Sequence, residues 1–266
     1  MDRARQAAQQ SGLRALRWWT RRPGVSRLVF RAISEAPGGS GATPALGQDD
    51  FFFLAYCLLH RHESASQLLQ DLWVSYESNG KAGGYFVEFG ADDGLLHSNT
   101  LCLERQLGWR GILAEPNLDC EPTLRRERNA RIDTRCVWPR SGETVELLVT
   151  RDAQLSTIRE AHVDDRHTAA RMTPVRSDLV PTISLHDLLE EHLAPRDIDY
   201  LSVDTEGSEL AILRTFDFRS RNVRLISVEH NHRADEPAID QLMTTNGYER
   251  RFRQFSDFDA WYRRIS

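Results

Sequence analysis

Apolar residues in this chain come in short blocks, and several blocks from residue 85 onward stop at an acid. Tyr85-Phe86-Val87-Glu88-Phe89 is apolar at four of five positions, the pattern of a strand buried on both faces. Gly90-Ala91-Asp92-Asp93-Gly94 follows as a tight turn, and Leu95 to Leu107, apolar at 95, 96, 101, 103 and 107, reads as a helix. Gly111 to Ala114 is a second buried strand ending at Glu115, and Ile132 to Trp138 is a third. After Gly142, Thr144 to Val149 is expected to fold back as a hairpin partner at the sheet's edge. Val180 to Ile183 is a brief extended stretch, and Ser184 caps a helix over Leu185 to Leu193 with Asp187 at its third position. Ile198 to Val203 is a strand delivering Asp204, with a helix from Ser208 to Phe216. Val223 to Glu229 runs into His230-Asn231-His232. A helix over Asp235 to Asn246 closes at Gly247, and Tyr248 to Phe252 with Phe258 to Tyr262 form a last hairpin.

The N-terminal part reads differently. Pro37-Gly38-Gly39-Ser40-Gly41 and Pro44 mark a linker. Beyond it Phe52, Phe53, Tyr56, Leu59, Leu68, Leu69, Leu72 and Trp73 recur at helical spacing. The expected organisation is a basic arm and linker over 1–48, a helical cap over 49–80 and one α/β domain over 81–266.

Composition changes this picture in two ways. Residues 1–31 hold eight arginines against the single acid Asp2, so the rest of the chain is more acidic than the overall charge of −5. An acidic body argues against nucleic acid as a partner. The arm, with Leu13, Leu16, Trp18 and Trp19, offers a peripheral membrane contact, although a solvated terminal helix is the simpler account. Cys57, Cys102, Cys120 and Cys136 form no C-x-x-C pair, and the longest apolar run, Phe51 to Leu59, is nine residues. Reduced thiols, no membrane span and a cytoplasmic location are expected.

A strand, a glycine-flanked turn and a helix make a nucleotide-binding unit. Here the turn carries Glu88, Asp92 and Asp93, which would repel a pyrophosphate. A ligand with a cationic centre and ribose hydroxyls, such as S-adenosylmethionine (SAM), suits it better. Glu115 stands 21 residues beyond Gly94 at the end of the second strand, where this architecture binds a ribose diol. Asp204 also ends a strand and faces the same crevice. His162 and His167 could reach an acceptor, though solvated loop histidines are commoner. An NAD-dependent dehydrogenase is disfavoured by the acidic turn and the missing G-x-G-x-x-G.

The segments Glu88 to Gly94, Ser98-Asn99-Thr100, Gly108-Trp109, Gly111 to Asn117, Leu155 to Ile158, Val180 to Leu189, Ile198 to Gly207, Glu229-His230 and Gly247-Tyr248 resemble, in that order, the FkbM-type methyltransferase family. The resemblance covers about residues 84–252; Asp93 stands where the family often has asparagine, and Ser202 where many members have lysine. It implies a class I methyltransferase (Rossmann-like) α/β fold: a seven-stranded, mostly parallel sheet with one antiparallel strand and helices on both faces, here with an N-terminal helical extension. It also implies SAM-dependent methyl transfer to oxygen on a sugar, glycan or small natural product. Glu88, Gly90, Asp92 and Gly94 would then hold the methionine portion of SAM, with Ala91 in the same turn. Ser98 and Asn99 would support that turn, and Glu115, followed by Pro116 and Asn117, would take the ribose. Asp204, Glu206 and Gly207 would face the sulfonium and the acceptor.

A hydroxyl acceptor must lose its proton, and Asp204, Glu206 and His230 are the candidates to take it. Carboxylates at those two strand ends would also suit Mg²⁺, but the expectation is catalysis without a metal. The rival reading is a non-catalytic SAM-fold module that recruits partners through residues 1–80.

Overall fold

The computed structural model describes residues 48–161, 168–171 and 173–265. The basic arm, the glycine-rich linker, His162 and His167 lie outside them. The chain divides into compact units at Ser64/Ala65. In the first unit, helix α1 (Gln48–His60) leads into a 3₁₀ turn at Arg61–Glu63. Asp49 and Asp50 in the first turn of α1 and His60 at its end suit the helix dipole.

The second unit begins at Ala65 and includes helix α2 (Gln70–Glu77). The expected cap over 49–80 is therefore split, and its second half belongs with the sheet. Leu69 sits at φ +68°, so α2 cannot run back through Leu68 and Leu69.

In chain order the remaining elements are β1 (Tyr85–Phe89), α3 (Leu101–Leu107), β2 (Arg110–Ala114), α4 (Glu121–Glu127), β3 (Arg131–Asp133), β4 (Cys136–Val137), β5 (Thr144–Val149), β6 (Thr157–Ile158) and α5 (Thr168–Arg171). They continue with β7 (Arg176–Ile183), α6 (Leu185–Glu191), β8 (Asp197–Val203), α7 (Glu209–Thr215), β9 (Asn222–Glu229), α8 (Glu236–Thr245), β10 (Tyr248–Arg251) and β11 (Asp259–Arg264).

A seven-stranded sheet has the order β10-β11-β9-β8-β1-β2-β3. It is mixed: β3, β2, β1, β8 and β9 pair in parallel, and β11 runs antiparallel to both β9 and β10. From β1 the chain first builds outward through β2 and β3, then returns to place β8 on the other side of β1. That reversal is a topological switch point, and ligands of open α/β sheets bind outside the carboxyl ends of the strands there.

Alternation along the strands sorts residues to two faces. On one face Val87, Phe89, Leu201, Val203, Ile226 and Val228 pack with Leu188 and Leu189 of α6, Ile212 and Leu213 of α7, and Ile239 and Met243 of α8 into one core. On the other, Phe86, Tyr200 and Leu225 lie in register, and the Trp73 ring of α2 stacks on Trp261 at 5.3 Å and meets Tyr200 edge-on.

Four expectations fail in the stretch from 95 to 183. Helix α3 starts at Leu101, not Leu95, because residues 98–100 are drawn around the Glu88 carboxylate. The third strand breaks after Asp133. Its continuation β4 leaves for a second, four-stranded sheet in the order β4-β7-β5-β6. Residues 144–149 therefore do not fold back on the third strand. They pair antiparallel with β7, which is eight residues long and not the brief stretch expected. Ser184 does cap α6, its hydroxyl accepting the Asp187 N–H at 3.1 Å. The Asn117 side chain accepts the Asp119 N–H, and α4 begins at Glu121.

Candidate functional site

The turn after β1 is shaped by its neighbours. Gly90 has φ +77°, and a Cβ there would lie 1.5 Å from the Asp204 carbonyl oxygen. The glycine is thus required by the close passage of the β8 end, not by a ligand. Gly94, at φ +73°, meets Leu124 and Arg128 in the same way and does not line the cavity. Asp92, at φ +46°, is held in the left-handed region without being glycine, a conformation of order 1–3 kcal/mol that surrounding contacts must sustain.

One such contact comes from Glu115. Its carboxylate accepts the Asp92 N–H at 2.9 Å on one oxygen and the Asn117 N–H at 2.8 Å on the other. Burial raises its pKa to about 7. Asp92 is also raised by burial, and its carboxylate accepts a hydrogen bond from the Cys120 thiol at 3.2 Å.

Glu88 is almost wholly buried and already occupied. It accepts from the Asn99 N–H and the hydroxyls of Ser98 and Thr100. Arg128 closes this knot from below: its guanidinium donates to the Gly94 carbonyl, the Ser98 and Thr100 hydroxyls and Glu104. Burial raises the Glu88 pKa, while Arg128 and the hydroxyl donors oppose that rise. The Asn99 amide donates to Ser202 Oγ at 2.9 Å, and its Oδ1 has no hydrogen-bond partner although the residue is buried.

On the same face the register sets two polar rows across the sheet. Glu88, Ser202, Ser227 and Trp261 pair across β1, β8, β9 and β11. Two residues further toward the carboxyl edge stand Gly90, Asp204 and Glu229, with Asp259 paired opposite Glu229 on the antiparallel β11. Asp204 and Glu229 are both pushed well above the usual carboxylate range by burial and by the neighbouring acids. Asp259 is raised to about 6 by burial, with Gln70 donating to it at 2.7 Å. Glu206, at φ +55°, pairs with the buried Arg171, and its carbonyl accepts from the Thr157 hydroxyl at 2.7 Å.

These groups surround a cavity of about 360 Å³, within the size range of small-molecule sites. Glu88, Gly90, Ala91, Asp92, Ser98, Asn99, Glu115, Pro116, Asp204 and Glu206 all line it. The second sheet and its loops add a partly apolar wall of Val137, Leu147, Ser156, Thr157 and Ile158. Seven carboxylate residues line the cavity, and among the described residues no lysine or arginine does.

Four expected site residues stand elsewhere, among them Gly207, whose N–H donates to the Glu209 carboxylate at 2.9 Å. Gly94 packs behind the turn, and Asn117 borders a neighbouring depression with Cys120 and Thr123. His230 does not line the cavity. It is 1% exposed, and its Nδ1 accepts the His232 N–H at 3.1 Å. Burial lowers its pKa. Its ring braces the turn after β9, so it is not placed to take a substrate proton. The sequence pattern assigns no catalytic or cofactor-binding role to Glu229, Asp259, Gln70, Ser156 or Thr157, which the fold brings to or beside the cavity. Glu229 ends a recognisable strand, as Asp204 does, and could have been found by that signal. Asp259 could not, because only the antiparallel β11 brings it here.

The acid-lined cavity stands at the switch point of an open α/β sheet, where sheets of this kind bind their ligands. Residues 88–250, more than half the chain, match the methyltransferase FkbM domain. The chain belongs to the FkbM methyltransferase family. No curated protein matches it in sequence. Among solved structures, the methyltransferase FkbM from Methylobacillus flagellatus KT is similar over 90% of this chain and 59% of that one, at 14% identity and a TM-score of 0.44. The chain therefore spans less than two thirds of that protein, and the assignment rests on the family match alone. No helix among the described residues is long and apolar enough to cross a membrane.

Proposed function

We propose that the chain is a SAM-dependent O-methyltransferase of class I fold acting on a hydroxyl of a sugar, glycan or small natural product. The carrying observation is the cavity lining: seven carboxylates and, among the described residues, no lysine or arginine. Such a surface repels phosphates and favours a ligand that carries positive charge together with hydroxyls. SAM is that kind of ligand, and when bound it supplies a methyl group on a sulfonium.

The residues divide the work. Glu115 uses the lone pairs left beside its two backbone bonds to accept the ribose hydroxyls. The turn Gly90 to Asp92 and Asn99 line the methionine end, where the unpartnered Asn99 Oδ1 can accept from an ammonium group. Asp204 and Glu206 border the space in which acceptor and methyl meet. The proton that the acceptor hydroxyl loses on taking a methyl group so supplied would pass to the carboxylates of Asp204 and Glu206. Burial makes Asp204 a stronger proton acceptor than an ordinary aspartate. Holding the acceptor in line with the methyl contributes about 7–11 kcal/mol in favourable cases.

The test is incubation of the whole chain with SAM and a panel of hydroxylated sugars, glycans and natural products, read by mass spectrometry. One added methyl group on oxygen, with S-adenosylhomocysteine formed in equal amount, is expected. Donor binding without turnover on any hydroxyl would favour a non-catalytic binding module instead.

A further inference from the structure

We propose that Asp204 and Glu229, with Glu206 beside them, form a binding site for a hard divalent cation. One carboxylate oxygen from each of the three lies within 4.8 Å of the others. Oxygens bound to one ion at about 2.0–2.6 Å stand about 3–5 Å apart, and carboxylate-only sets select Mg²⁺, Ca²⁺ or Mn²⁺.

Carboxylates often cluster without an ion, so a second observation is needed. Glu229 provides it. The residue is only 7% exposed and lines the cavity, yet its Oε2 has no hydrogen-bond partner. A buried carboxylate oxygen left without a donor is costly.

The neighbouring arginines do not settle the charge. Arg171 neutralises Glu206, and Arg233 neutralises Glu209. Arg233 reaches the Glu229 backbone carbonyl at 3.3 Å, not its carboxylate. Arg250 forms ion pairs with Glu236 and Asp240. Neither Asp204 nor Glu229 makes a salt bridge among the described residues. No cationic side chain is paired with either carboxylate among the described residues, and a doubly charged cation suits the pair. The sheet itself holds them side by side, since Asp204 directly follows β8 and Glu229 ends the neighbouring parallel strand β9.

This deepens the donor reading and depends on it for its catalytic meaning. An ion at that point would bind the acceptor oxygen and ease loss of its proton. Asp204 would then be a ligand of the ion.

The experiment is calorimetric titration of the whole chain, stripped with EDTA and dialysed, with MgCl₂, CaCl₂ and MnCl₂ separately and no donor present. One saturable site is expected for at least one ion. Asp204→Asn and Glu229→Gln should each weaken it by more than the about ten-fold that loss of a supporting partner costs. Glu229→Gln should also raise the melting temperature of the ion-free chain, by removing a buried repulsion, while abolishing the rise that the ion produces in the parent. Absence of binding by all three ions at millimolar concentration would overturn the proposal, as would unchanged affinity in both folded variants. Titration with S-adenosylhomocysteine in EDTA tests the donor reading separately: donor binding without ion binding overturns the ion site alone.

Discussion

The backbone N–H of Asp92 donates to the Glu115 carboxylate across 2.9 Å, so the acid that ends β2 fixes the turn that follows β1. Glu115 is thus a brace before it is a ligand-binding group. In the folded chain its pKa of about 7 stands above the ordinary 4.5. Stability from this group is full below about pH 4.5 and is lost as pH rises to 7, by about 3 kcal/mol. Donor binding runs the other way, because the ribose hydroxyls bond best to the ionised form. Affinity for S-adenosylhomocysteine should rise with pH and level off above about 7, with Glu115→Gln flattening the profile. A parent profile already flat between pH 6 and 8 would contradict the assignment.

Gly90→Ala should disrupt folding and not merely ligand binding. Its Cβ would fall on the Asp204 carbonyl oxygen, which belongs to backbone held by β8. A loss of about 4 kcal/mol or more in chemical denaturation is expected, at the severe end for one substitution. A variant with parent stability and lost donor binding would return Gly90 to the role the sequence suggests.

Arg128→Met tests the knot beneath the turn. It would leave Glu104 and Glu88 buried without their guanidinium and release the Gly94 carbonyl. Breaking a buried pair from one side costs about 3–5 kcal/mol, so urea unfolding should show a loss of that size.

Kinetics separate the proton acceptors once an acceptor substrate is found. Asp204→Asn should lower kcat by about 10² or more at saturating SAM, whether the carboxylate takes the proton or holds an ion. His230→Gln should lose less than about ten-fold in kcat but melt at lower temperature, since His230 braces the turn after β9 and does not line the cavity. The reverse ranking would contradict the site as described.

Much of this geometry is legible in the sequence where local pattern decides it. Buried runs that stop at an acid identify β1, β2, β8 and β9, and parallel pairing then gathers Asp92, Glu115 and Asp204 at one edge. What depends on distant pairing is hidden. Asp259 arrives only because β11 inserts antiparallel between β9 and β10. Arg128 reaches back 34 residues to the Gly94 carbonyl, and no periodicity announces that. The second sheet escapes because β4 is two residues long and pairs in parallel with β7, more than forty residues on. Left-handed residues such as Asp92 and Glu206 escape too, since their conformation is imposed by neighbours and not by residue type.

The most direct measurement is calorimetric titration of the whole chain with S-adenosylhomocysteine, alongside Glu115→Ala. The acid-lined cavity predicts one saturable site with affinity in the about 1 μM–1 mM range usual for enzyme substrates. It also predicts a loss of about 1.5–3 kcal/mol of binding in a folded Glu115→Ala chain. A folded parent that takes up no ligand at millimolar concentration, or a variant that binds as the parent does, would contradict it.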